Sequence, residues 1–407
     1  MAKKNTDIIT GGSVFDLVKS ITKDAEIISE SLTANNDDWI PSGNYILNAA
    51  INGSLFGGIP NRRSICLAGE SQTAKSYLAC SFCREAQKKG YTPIVMDSEG
   101  AYDIDFVGRL GVDVNNFILM QVNTISECSN FMANLCDKVE AQKEKQKILL
   151  VLDSVGNLTS DKEKTDITEG TGKRDMTKQQ ELKAMFRVNG LRLSKLGIPF
   201  IIVSHIYQTQ DLFSKQIVSG GSALTYNPSI TLMLSKAKLE DKQSEDKAKE
   251  SGADMVKVGA LITARPDKSR YCKPIKIRFQ IPFFKKPNPY IGLEQFITWE
   301  NSGIVRGKLY KEKDFNKLKD NEKSLCKEFE YNGEKMYVLP KDTARGIVVR
   351  HLGQELPLVE LFTSKVFTDE LLHKLDEEVI KPTFQLPNIN EIDDLKEMEE
   401  ELDGTVE

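Results

Sequence analysis

The sequence has no apolar run near the roughly 18 residues that a helix needs to cross a bilayer. Its first residues, MAKKNTDIITGGS, contain no apolar stretch after the lysines and so do not resemble a secretion signal. We therefore expect a cytoplasmic protein that makes no membrane contact.

Cysteine is scarce, with seven residues scattered over 407 positions. An odd count fits reduced thiols better than a disulfide framework. Cys80 and Cys83 have a metal-like spacing, but no second pair lies at a zinc-like separation. We interpret them as small buried residues of a helix, with a zinc site as the minor alternative.

Neither sign of charge is in large excess, because the net charge is only −4. Hydrophobic residues make up 40% of the chain and charged residues 28%, which is typical of a soluble globular protein. The length allows about two to three domains. The overall charge by itself gives no indication of nucleic-acid binding.

The charge is distributed unevenly along the chain. Residues 391–407, EIDDLKEMEEELDGTVE, hold nine acidic residues and one lysine, a net charge of −8. Such a run is most often a solvated, disordered tail, and sometimes it competes electrostatically for a basic groove. Both interpretations stay open from the sequence alone.

Short apolar runs alternate with helical patterns from Arg62 to about Lys236, which predicts βαβ units and a mainly parallel, helix-covered sheet. One predicted helix stops at Gly90, and another begins with the capping-box pair Thr124 and Glu127. The fold class is therefore α/β with a nucleotide-binding core. The predicted strands are residues 62–68, 91–97, 117–122, 147–153 and 198–204.

The regions around this core differ in pattern. Residues 273–281 alternate apolar and polar side chains, which predicts a half-exposed antiparallel edge strand. Residues 238–254 are almost all polar and indicate an exposed excursion from the sheet. Three prolines in 282–290 mark a boundary. The predicted parts are a helix and arm at 1–40, the core at 41–285, a small C-terminal domain at 286–390 and an acidic tail at 391–407.

GESQTAKS, residues 69–76, matches a Walker A phosphate loop except that Ala74 replaces the second glycine. The segment follows a predicted strand and opens a predicted helix, as a phosphate loop requires. A left-handed backbone at Ala74 would cost only about 1–2 kcal/mol, so the loop is expected to survive the change. The candidate nucleotide-binding residues are Gly69, Glu70, Ser71, Gln72, Thr73, Ala74, Lys75, Ser76 and Tyr77.

Three further candidates lie where predicted strands end, at the sheet edge that faces a ligand. Asp153 is suited to hold Mg²⁺ together with Ser76. Glu99 is suited to orient or deprotonate an attacking water, the alternative being a surface acid in a turn. His205 opens a long loop that contains Gly220 and Gly221, although a lone histidine at a strand end is usually structural.

Four segments, at residues 40–76, 96–113, 151–160 and 203–226, occur in the order seen in RecA-type DNA recombinases. The chain resembles most the phage, UvsX-like branch of that family. The resemblance covers about residues 40–300 and continues more weakly into the C-terminal region through PNPYIGLEQFITWENSGIV. It implies a RecA-like P-loop NTPase core that acts in the host bacterial cytoplasm if the chain is phage-encoded.

The resemblance implies ATP and Mg²⁺ as cofactors and agrees with the roles given above to Lys75, Ser76, Glu99 and Asp153. It places the adenine-contacting acid at Asp103 and the aromatic ring that stacks on the base at Phe106. His205 stands where the family senses the γ-phosphate, commonly with glutamine. The phage branch also tolerates a residue other than glycine at position 74.

Two DNA-binding loops are implied at about residues 161–178 and 206–222. The first contains five acidic and five basic residues, so it is no plain basic patch. Affinity for phosphates would then come from selected side chains. The implied DNA-binding residues are Lys173, Arg174, Met176, Lys178, Phe213, Lys215, Gly220 and Gly221.

In this family, basic residues of a neighbouring subunit reach the γ-phosphate, and Lys268 and Arg270 occupy the matching positions. A solvated basic turn is the alternative. Residues 1–40 are expected to contact the adjacent subunit.

These expectations combine into a DNA-dependent ATPase that assembles on single-stranded DNA as a helical filament, pairs it with homologous duplex DNA and exchanges strands. A single-strand-binding protein and a recombination mediator are implied partners. The alternatives are a ring-forming helicase on the same core, or a non-catalytic filament accessory that binds ATP for assembly only.

Overall fold

The computed structural model describes residues 12–22, 25–28, 31, 36–142, 144–169, 177–208, 216–237, 259–282 and 287–386. Several predictions fall on residues outside these ranges. They are the polar excursion at 238–254, the acidic tail at 391–407 and the DNA-binding candidates Lys173, Arg174, Met176, Phe213 and Lys215.

A central sheet carries the described core, with strand order β11-β10-β9-β3-β7-β6-β4-β5 and β8 paired to β7. Strands β3 to β7 and β9 run parallel where they pair, whereas β8, β10 and β11 pair antiparallel. The predicted α/β class is confirmed. The strands are β1 Trp39–Ile40, β2 Ile59–Pro60, β3 Ser64–Gly69, β4 Thr92–Asp97, β5 Ile118–Gln121, β6 Ile148–Asp153, β7 Phe200–Gln208, β8 Gln216–Val218, β9 Ile230–Ala237, β10 Gly259–Lys268 and β11 Ile277–Pro282.

Helices cover both faces of this sheet, which explains why its strands are apolar at successive positions. In β6, Leu149 and Val151 belong to one buried cluster and Leu150 and Leu152 to the other. Helices α2 and α3 line the first cluster, and α5 and α7 line the second. The helices up to this point of the chain are α1 Gly12–Ile21, α2 Tyr45–Asn52, α3 Lys75–Lys88, α4 Ile104–Arg109, α5 Ile125–Glu140, α6 Asp161–Glu169, α7 Thr177–Leu196 and α8 Ser222–Tyr226.

Local sequence signals set several helix ends as predicted. The Thr124 hydroxyl accepts the Glu127 N–H at 3.2 Å, and the Glu127 carboxylate accepts the Thr124 N–H, also at 3.2 Å. Helix α3 ends at Lys88, and Gly90 follows with a φ of 80°. Cys80 and Cys83 are fully buried inside α3, as expected for small residues of a helix.

The first implied DNA-binding loop, residues 161–178, is partly helical, which corrects that expectation. Helix α6 begins at Asp161 because the Ser160 hydroxyl accepts the Glu163 N–H at 2.9 Å. Two acids in its first turn also favour this helix end. Helix α7 includes Thr177 and Lys178, so both described parts of this segment are helical.

The second implied loop, residues 206–222, is also more regular than expected. Its ends form an antiparallel hairpin, in which Ile206 pairs with Val218 and Gln208 pairs with Gln216. Helix α8 begins directly afterwards at Ser222. The extension of β7 past His205 therefore carries the start of this loop as a strand.

The alternating segment forms the antiparallel edge strand that its pattern predicts. In β11, Ile277, Phe279 and Ile281 are buried, and Phe279 lies opposite Ile262 of β10. The side-chain amide of Gln295 accepts the Arg278 N–H at 3.2 Å and donates to the Arg278 carbonyl oxygen at 2.6 Å. This side chain occupies part of the free sheet edge.

A second sheet follows, in the order β13-β14-β12-β15-β16 and antiparallel throughout its described pairs. Trp299, Phe329 and Val338 pack in a small cluster on it. The domain boundary at residue 286 stays a prediction. Leu372 and Phe384, which come after it in the sequence, pack in the main core. The elements are β12 Ile304–Lys311, β13 Lys327–Tyr331, β14 Glu334–Pro340, β15 Gly346–Val349, β16 Gln354–Pro357 and short helices Trp299–Ser302, Glu312–Phe315, Asp320–Lys323, Asp369–Leu375, Asp376–Ile380 and Lys381–Phe384.

Asp376 fastens these last helices to the core. Its carboxylate is 3% exposed and accepts the Leu55 N–H at 2.6 Å and the Ser54 hydroxyl at 2.8 Å. The replacement Asp376→Ala would leave a buried N–H unpaired, so the free energy of unfolding should fall by about 1–3 kcal/mol. Urea unfolding measures the change. The exposed Asp342→Ala is the control, and an equal loss in both variants would contradict this role.

Candidate nucleotide and DNA site

The phosphate loop joins β3 to α3 and closes tightly on itself. The Lys75 ammonium donates to the carbonyl oxygens of Gly69 at 3.0 Å and Glu70 at 2.7 Å. A Cβ on Gly69 would lie 2.5 Å from Thr73 Oγ1 and 2.6 Å from the Leu234 carbonyl oxygen. Only glycine therefore fits at the start of this loop.

Ala74 adopts the left-handed backbone that the missing glycine would have favoured, with φ 67° and ψ 26°. Gln72 is also left-handed, with a φ of 62°. Helix α3 begins at the next residue, Lys75, so its first N–H groups face the loop. Alanine is thus accommodated in the glycine conformation.

Lys75 is a buried cation held by neutral carbonyl groups. Burial lowers the pKa of its ammonium, although the carboxylates of Asp153 and Glu99 favour the charged form. A phosphate group brought to this loop would supply negative charge to the ammonium and to the N-terminus of α3. The residues of the loop therefore fit a nucleotide phosphate.

Asp153 ends β6 and is 1% exposed. Tyr102 donates its hydroxyl to Asp153 Oδ2 at 2.7 Å. Burial raises the pKa of Asp153, whereas hydrogen bonds from Ser76 and Tyr102 act in the opposite direction. A carboxylate and a hydroxyl are oxygen ligands of the kind that Mg²⁺ uses together with substrate phosphates.

The described residues hold no group of three or more His, Cys, Asp or Glu side chains able to bind a metal ion. Mg²⁺ is commonly held by one or two carboxylates together with waters and the phosphates of a nucleotide. Ser76 and Asp153 are the residues that would hold it.

Glu99 lies beside Asp153 across neighbouring strands, because Asp97 and Asp153 end β4 and β6 in register. The Asp97 carboxylate accepts the backbone N–H groups of Glu99 and Gly100, both at 2.9 Å, and so shapes the turn. Ser154 donates its hydroxyl to Glu99 Oε1. The peptide bond between Asp153 and Ser154 is cis.

His205 contacts Glu99 directly, with 2.9 Å between His205 Nε2 and Glu99 Oε1. In the tautomer with its proton on Nε2, the imidazole donates to the carboxylate. Burial alone would raise the pKa of Glu99, but hydrogen bonds from Ser154 and His205 bring it below its ordinary value. The carboxylate is therefore charged near neutral pH.

His205 is bonded through its backbone to the second loop. The Ser219 N–H donates to the His205 carbonyl oxygen at 2.7 Å, and the Ser204 hydroxyl donates to the Ser219 carbonyl oxygen at 2.8 Å. One residue thus contacts the candidate water-activating carboxylate with its side chain and the implied DNA-binding hairpin with its backbone.

Sequence reasoning missed Asp97, Ser154, Ser204 and Ser219. The first three lie in the same segments as the predicted residues, one or two positions from Glu99, Asp153 and His205. Polar residues that cluster at strand ends were therefore the available signal. Ser219 carried none, because its role depends on the hairpin register.

The described DNA-binding candidates gather at this edge of the sheet. Lys178, in the first turn of α7, donates to the Gly156 carbonyl oxygen at 3.1 Å. Gly220 and Gly221 have φ values of 103° and 61°, which favour glycine. A Cβ on Gly221 would meet the Gln179 side chain at 3.3 Å. The two implied loops therefore meet where α7 and α8 begin.

The adenine-contacting candidates lie at the start of α4. The Asp103 carboxylate is exposed and accepts the Phe106 N–H at 2.6 Å, so it caps this helix. The half-buried Phe106 ring packs edge-on against Tyr102, with centroids 6.3 Å apart. Both residues have structural roles here, and their contact with a base stays a prediction.

Lys268 and Arg270 do not lie at the chain's own phosphate loop. Lys268 is paired with Thr231, near the amino end of β9, whereas Gly69 is paired with Leu234 further along that strand. The Lys268 ammonium donates to the carbonyl oxygens of Thr225 and Tyr226 at the end of α8.

The position of Ala74 generates a stability prediction. Ala74→Gly relieves the strain of a left-handed alanine, about 1–2 kcal/mol, against the greater chain entropy of glycine, about 0.5–1 kcal/mol. We expect the free energy of unfolding to stay equal or rise slightly. Ala86→Gly, at a buried position within helix α3, should lower the free energy of unfolding by about 1 kcal/mol. Urea unfolding compares the two, and a similar loss in both would contradict strain at Ala74.

The chain is similar to many known proteins, of which three are described. The recombination and repair protein of Enterobacteria phage T4 is 27% identical over 262 residues, 64% of this chain and 63% of that protein. The protein RecA of Mesoplasma florum is 25% identical over 72% of this chain and 79% of its own. DNA repair protein recA homolog 1, chloroplastic, of Arabidopsis thaliana is 28% identical over 56% of this chain and 49% of its own.

The matched segments thus span from about half to four fifths of these relatives' lengths. In the part of the chain that the structure describes, no helix is both long and apolar enough to cross a membrane. The RecA N-terminal domain family matches residues 14–269, well over half of the chain, and that segment contains most of the sheet and the site described above. The chain therefore belongs to the RecA family.

Proposed function

We propose that this protein is an ATP-dependent DNA strand-exchange recombinase, active in homologous recombination, repair and recombination-dependent replication. Among the functions open to a RecA-family protein, one observation favours this one most. Glu99, placed to activate water, is hydrogen bonded to His205, whose backbone is bonded to the hairpin of the second loop. Names of relatives support the same reading, since one is a recombination and repair protein and another is RecA.

In the proposed reaction, Lys75 and the first N–H groups of α3 bind the phosphates of ATP. Ser76 and Asp153 would hold Mg²⁺, which when bound would supply positive charge beside those phosphates. Glu99 accepts the proton of the attacking water, because its carboxylate is charged and Ser154 and His205 fix its position. Tyr102 holds the Asp153 carboxylate in place.

DNA binding is proposed at the edge where α7 and α8 begin. Gly220 and Gly221 would present backbone N–H groups to phosphates, and Lys178 would add a cation. Lys173, Arg174, Met176, Phe213 and Lys215 remain proposed contacts on residues outside the described ranges. His205 would transmit the nucleotide state, because a γ-phosphate beside Glu99 competes for the same hydrogen-bonding groups.

Filament assembly is proposed to complete the ATP site between subunits. Lys268 is paired near the amino end of β9, and Arg270 follows it, whereas the phosphate loop lies at the carboxyl end of β3, as a head-to-tail contact would require. Helix α1 exposes apolar side chains, including Val14, Leu17 and Ile21, which suits docking on a neighbour. A single-strand-binding protein and a mediator are further proposed partners.

Joint-molecule formation between a labelled single strand and homologous supercoiled duplex tests this function. We expect product that requires ATP and homology, and that Lys75→Ala abolishes by removing the buried phosphate-binding cation. Glu99→Gln should keep ATP binding and slow hydrolysis by roughly 10²- to 10⁴-fold, since the amide cannot accept the proton. DNA-stimulated hydrolysis with unwinding of forked duplex and no joint molecules would favour the helicase.

A second prediction concerns the link through His205. His205→Ala should leave ATP binding largely intact while DNA affinity loses its dependence on ATP, because the side chain that reaches Glu99 is removed. His205→Gln is the matched control, since its amide can donate to the same oxygen. Fluorescence anisotropy of a labelled single strand, with and without ATP, measures the coupling. Full ATP dependence in the alanine variant would remove the hypothesis.

A further inference from the structure

A cavity of about 390 Å³ opens at the amino ends of β3, β7 and β9, so it lies at the opposite end of β3 from the phosphate loop. Four arginines line it, and none of the lining residues that the structure describes is Asp or Glu. Serine hydroxyl groups and apolar side chains add to the lining. The arginines are Arg62, Arg63, Arg187 and Arg270, and we call this space the arginine cavity.

Two of these guanidinium groups are fixed in place by neutral acceptors. Arg62 is 4% exposed and donates to the carbonyl oxygens of Ser194 and Lys195, at 3.2 Å and 2.9 Å, near the end of α7. Arg63 donates to the hydroxyl groups of Ser194 and Tyr271, both at 3.1 Å. These bonds hold both side chains but cancel none of their charge.

Asp37 balances the charge of Arg62 only in part. Its Oδ1 lies 3.8 Å from Arg62 Nε, and that Nε has no hydrogen-bond partner among the described residues. The same carboxylate accepts bonds from Asn61 at 2.6 Å and from Lys145 at 2.9 Å. The bond from Lys145 is the main reason that the pKa of Asp37 falls to about 2. Because Lys145 shares this carboxylate, positive charge remains at the cavity.

The other two guanidinium groups are available to a ligand. Arg187 and Arg270 are exposed, and neither forms an ion pair or a side-chain hydrogen bond with any residue that the structure describes. Ser64 and Ser229 add hydroxyl groups to the lining, and Ser229 is buried. Across its described lining, the cavity thus offers charged and neutral donors and no charged acceptor.

This arrangement favours an anion with several oxygen atoms. Four like charges around one space repel one another, and an anion placed among them offsets that repulsion. A guanidinium group donates two parallel N–H bonds to neighbouring phosphate oxygens, which an ammonium group cannot do. Phe186, Leu193 and Phe200 are apolar parts of the lining, and they lower the local dielectric constant, so that charged bonds are stronger there than in water.

We propose that the arginine cavity binds inorganic phosphate as its dianion. The exposed Arg187 and Arg270 would bind the oxygens directly, whereas the fixed Arg62 and Arg63 add to the positive field. A phosphodiester of nucleic acid presents similar oxygens, but it carries a single negative charge and two bulky substituents, so it gains less from the same cavity. The binding is a property of the free chain and is independent of the proposed function.

One consequence of the binding rests on the proposed function. Arg270 would then face the nucleotide of a neighbouring subunit, so phosphate released by hydrolysis there would meet the arginine cavity as it leaves. Bound phosphate and that nucleotide would compete for Arg270. Binding measured without nucleotide or DNA tests the cavity alone, whereas joint-molecule formation tests the function alone.

Arginine modification of the full-length, unaltered chain tests the site directly, because phenylglyoxal reacts with accessible guanidinium groups. Peptide mass spectrometry follows Arg187 and Arg270 with and without inorganic phosphate, at constant ionic strength and at a pH where phosphate is mainly the dianion. Arg345 is the matched control, since it is also exposed and forms no ion pair with a described residue. Thymidylyl-thymidine, whose only phosphate is a diester, replaces inorganic phosphate in a second arm.

We expect phosphate to slow the modification of Arg187 and Arg270 severalfold while the rate at Arg345 stays constant, and the dinucleotide to leave all three rates unchanged. Equal protection of Arg345, or no protection of Arg187, would show that the cavity is no phosphate site. Protection by the dinucleotide as strong as that by phosphate would assign the cavity to nucleic acid and overturn the choice of ligand.

Titration calorimetry with inorganic phosphate counts the sites. Lys75→Ala is the starting variant, because the phosphate loop is itself a site for phosphate. One site per chain should remain in it, and adding Arg187→Gln should weaken that site by roughly tenfold or more through the loss of charged hydrogen bonds. Adding Arg345→Gln instead should leave the affinity unchanged. No site in Lys75→Ala, or equal affinities after the two added changes, would contradict the proposal.

Discussion

The parallel register of β3, β4, β6 and β7 is the constraint on which the site depends. It brings the phosphate loop, Asp97, Asp153 and His205 to one edge of the sheet, although they are far apart in sequence. Both faces of these strands are buried by helices, so the register is fixed by the core itself. The short contact between Glu99 and His205 follows from this alignment.

The sequence predicted the parts of this site more fully than their contacts. Strand positions, the phosphate loop and the capping box at Thr124 followed from local patterns, because backbone propensity and hydrophobic period are local properties. The bond from His205 to Glu99 depends on side-chain reach across strands, which no spacing encodes. The strand pairing after His205 and the helix from Asp161 were missed because the family resemblance implied DNA-binding loops at both places, and a resemblance does not give the local backbone structure.

The two edges of the sheet have opposite electrostatic character. At the carboxyl ends of the strands, Asp153 and Glu99 favour the charged form of the buried Lys75 ammonium. At the amino ends of β3 and β7, a cavity is lined by Arg62, Arg63, Arg187 and Arg270. In the proposed head-to-tail assembly, the basic ends of one subunit's strands would meet the acidic ends of the next subunit's strands, with a nucleotide phosphate between them. This asymmetry would explain why Lys268 and Arg270 do not lie at their own phosphate loop.

The central claim is that nucleotide changes the hydrogen bond between His205 and Glu99. Histidine ¹⁵N NMR measures it directly, because the chain has three histidines and His351 and His373 serve as internal references. With a slowly hydrolysed ATP analogue and Mg²⁺, the His205 Nε2 signal should move from its position in the free chain while the two references stay constant. An unchanged His205 signal at saturating nucleotide would contradict the account.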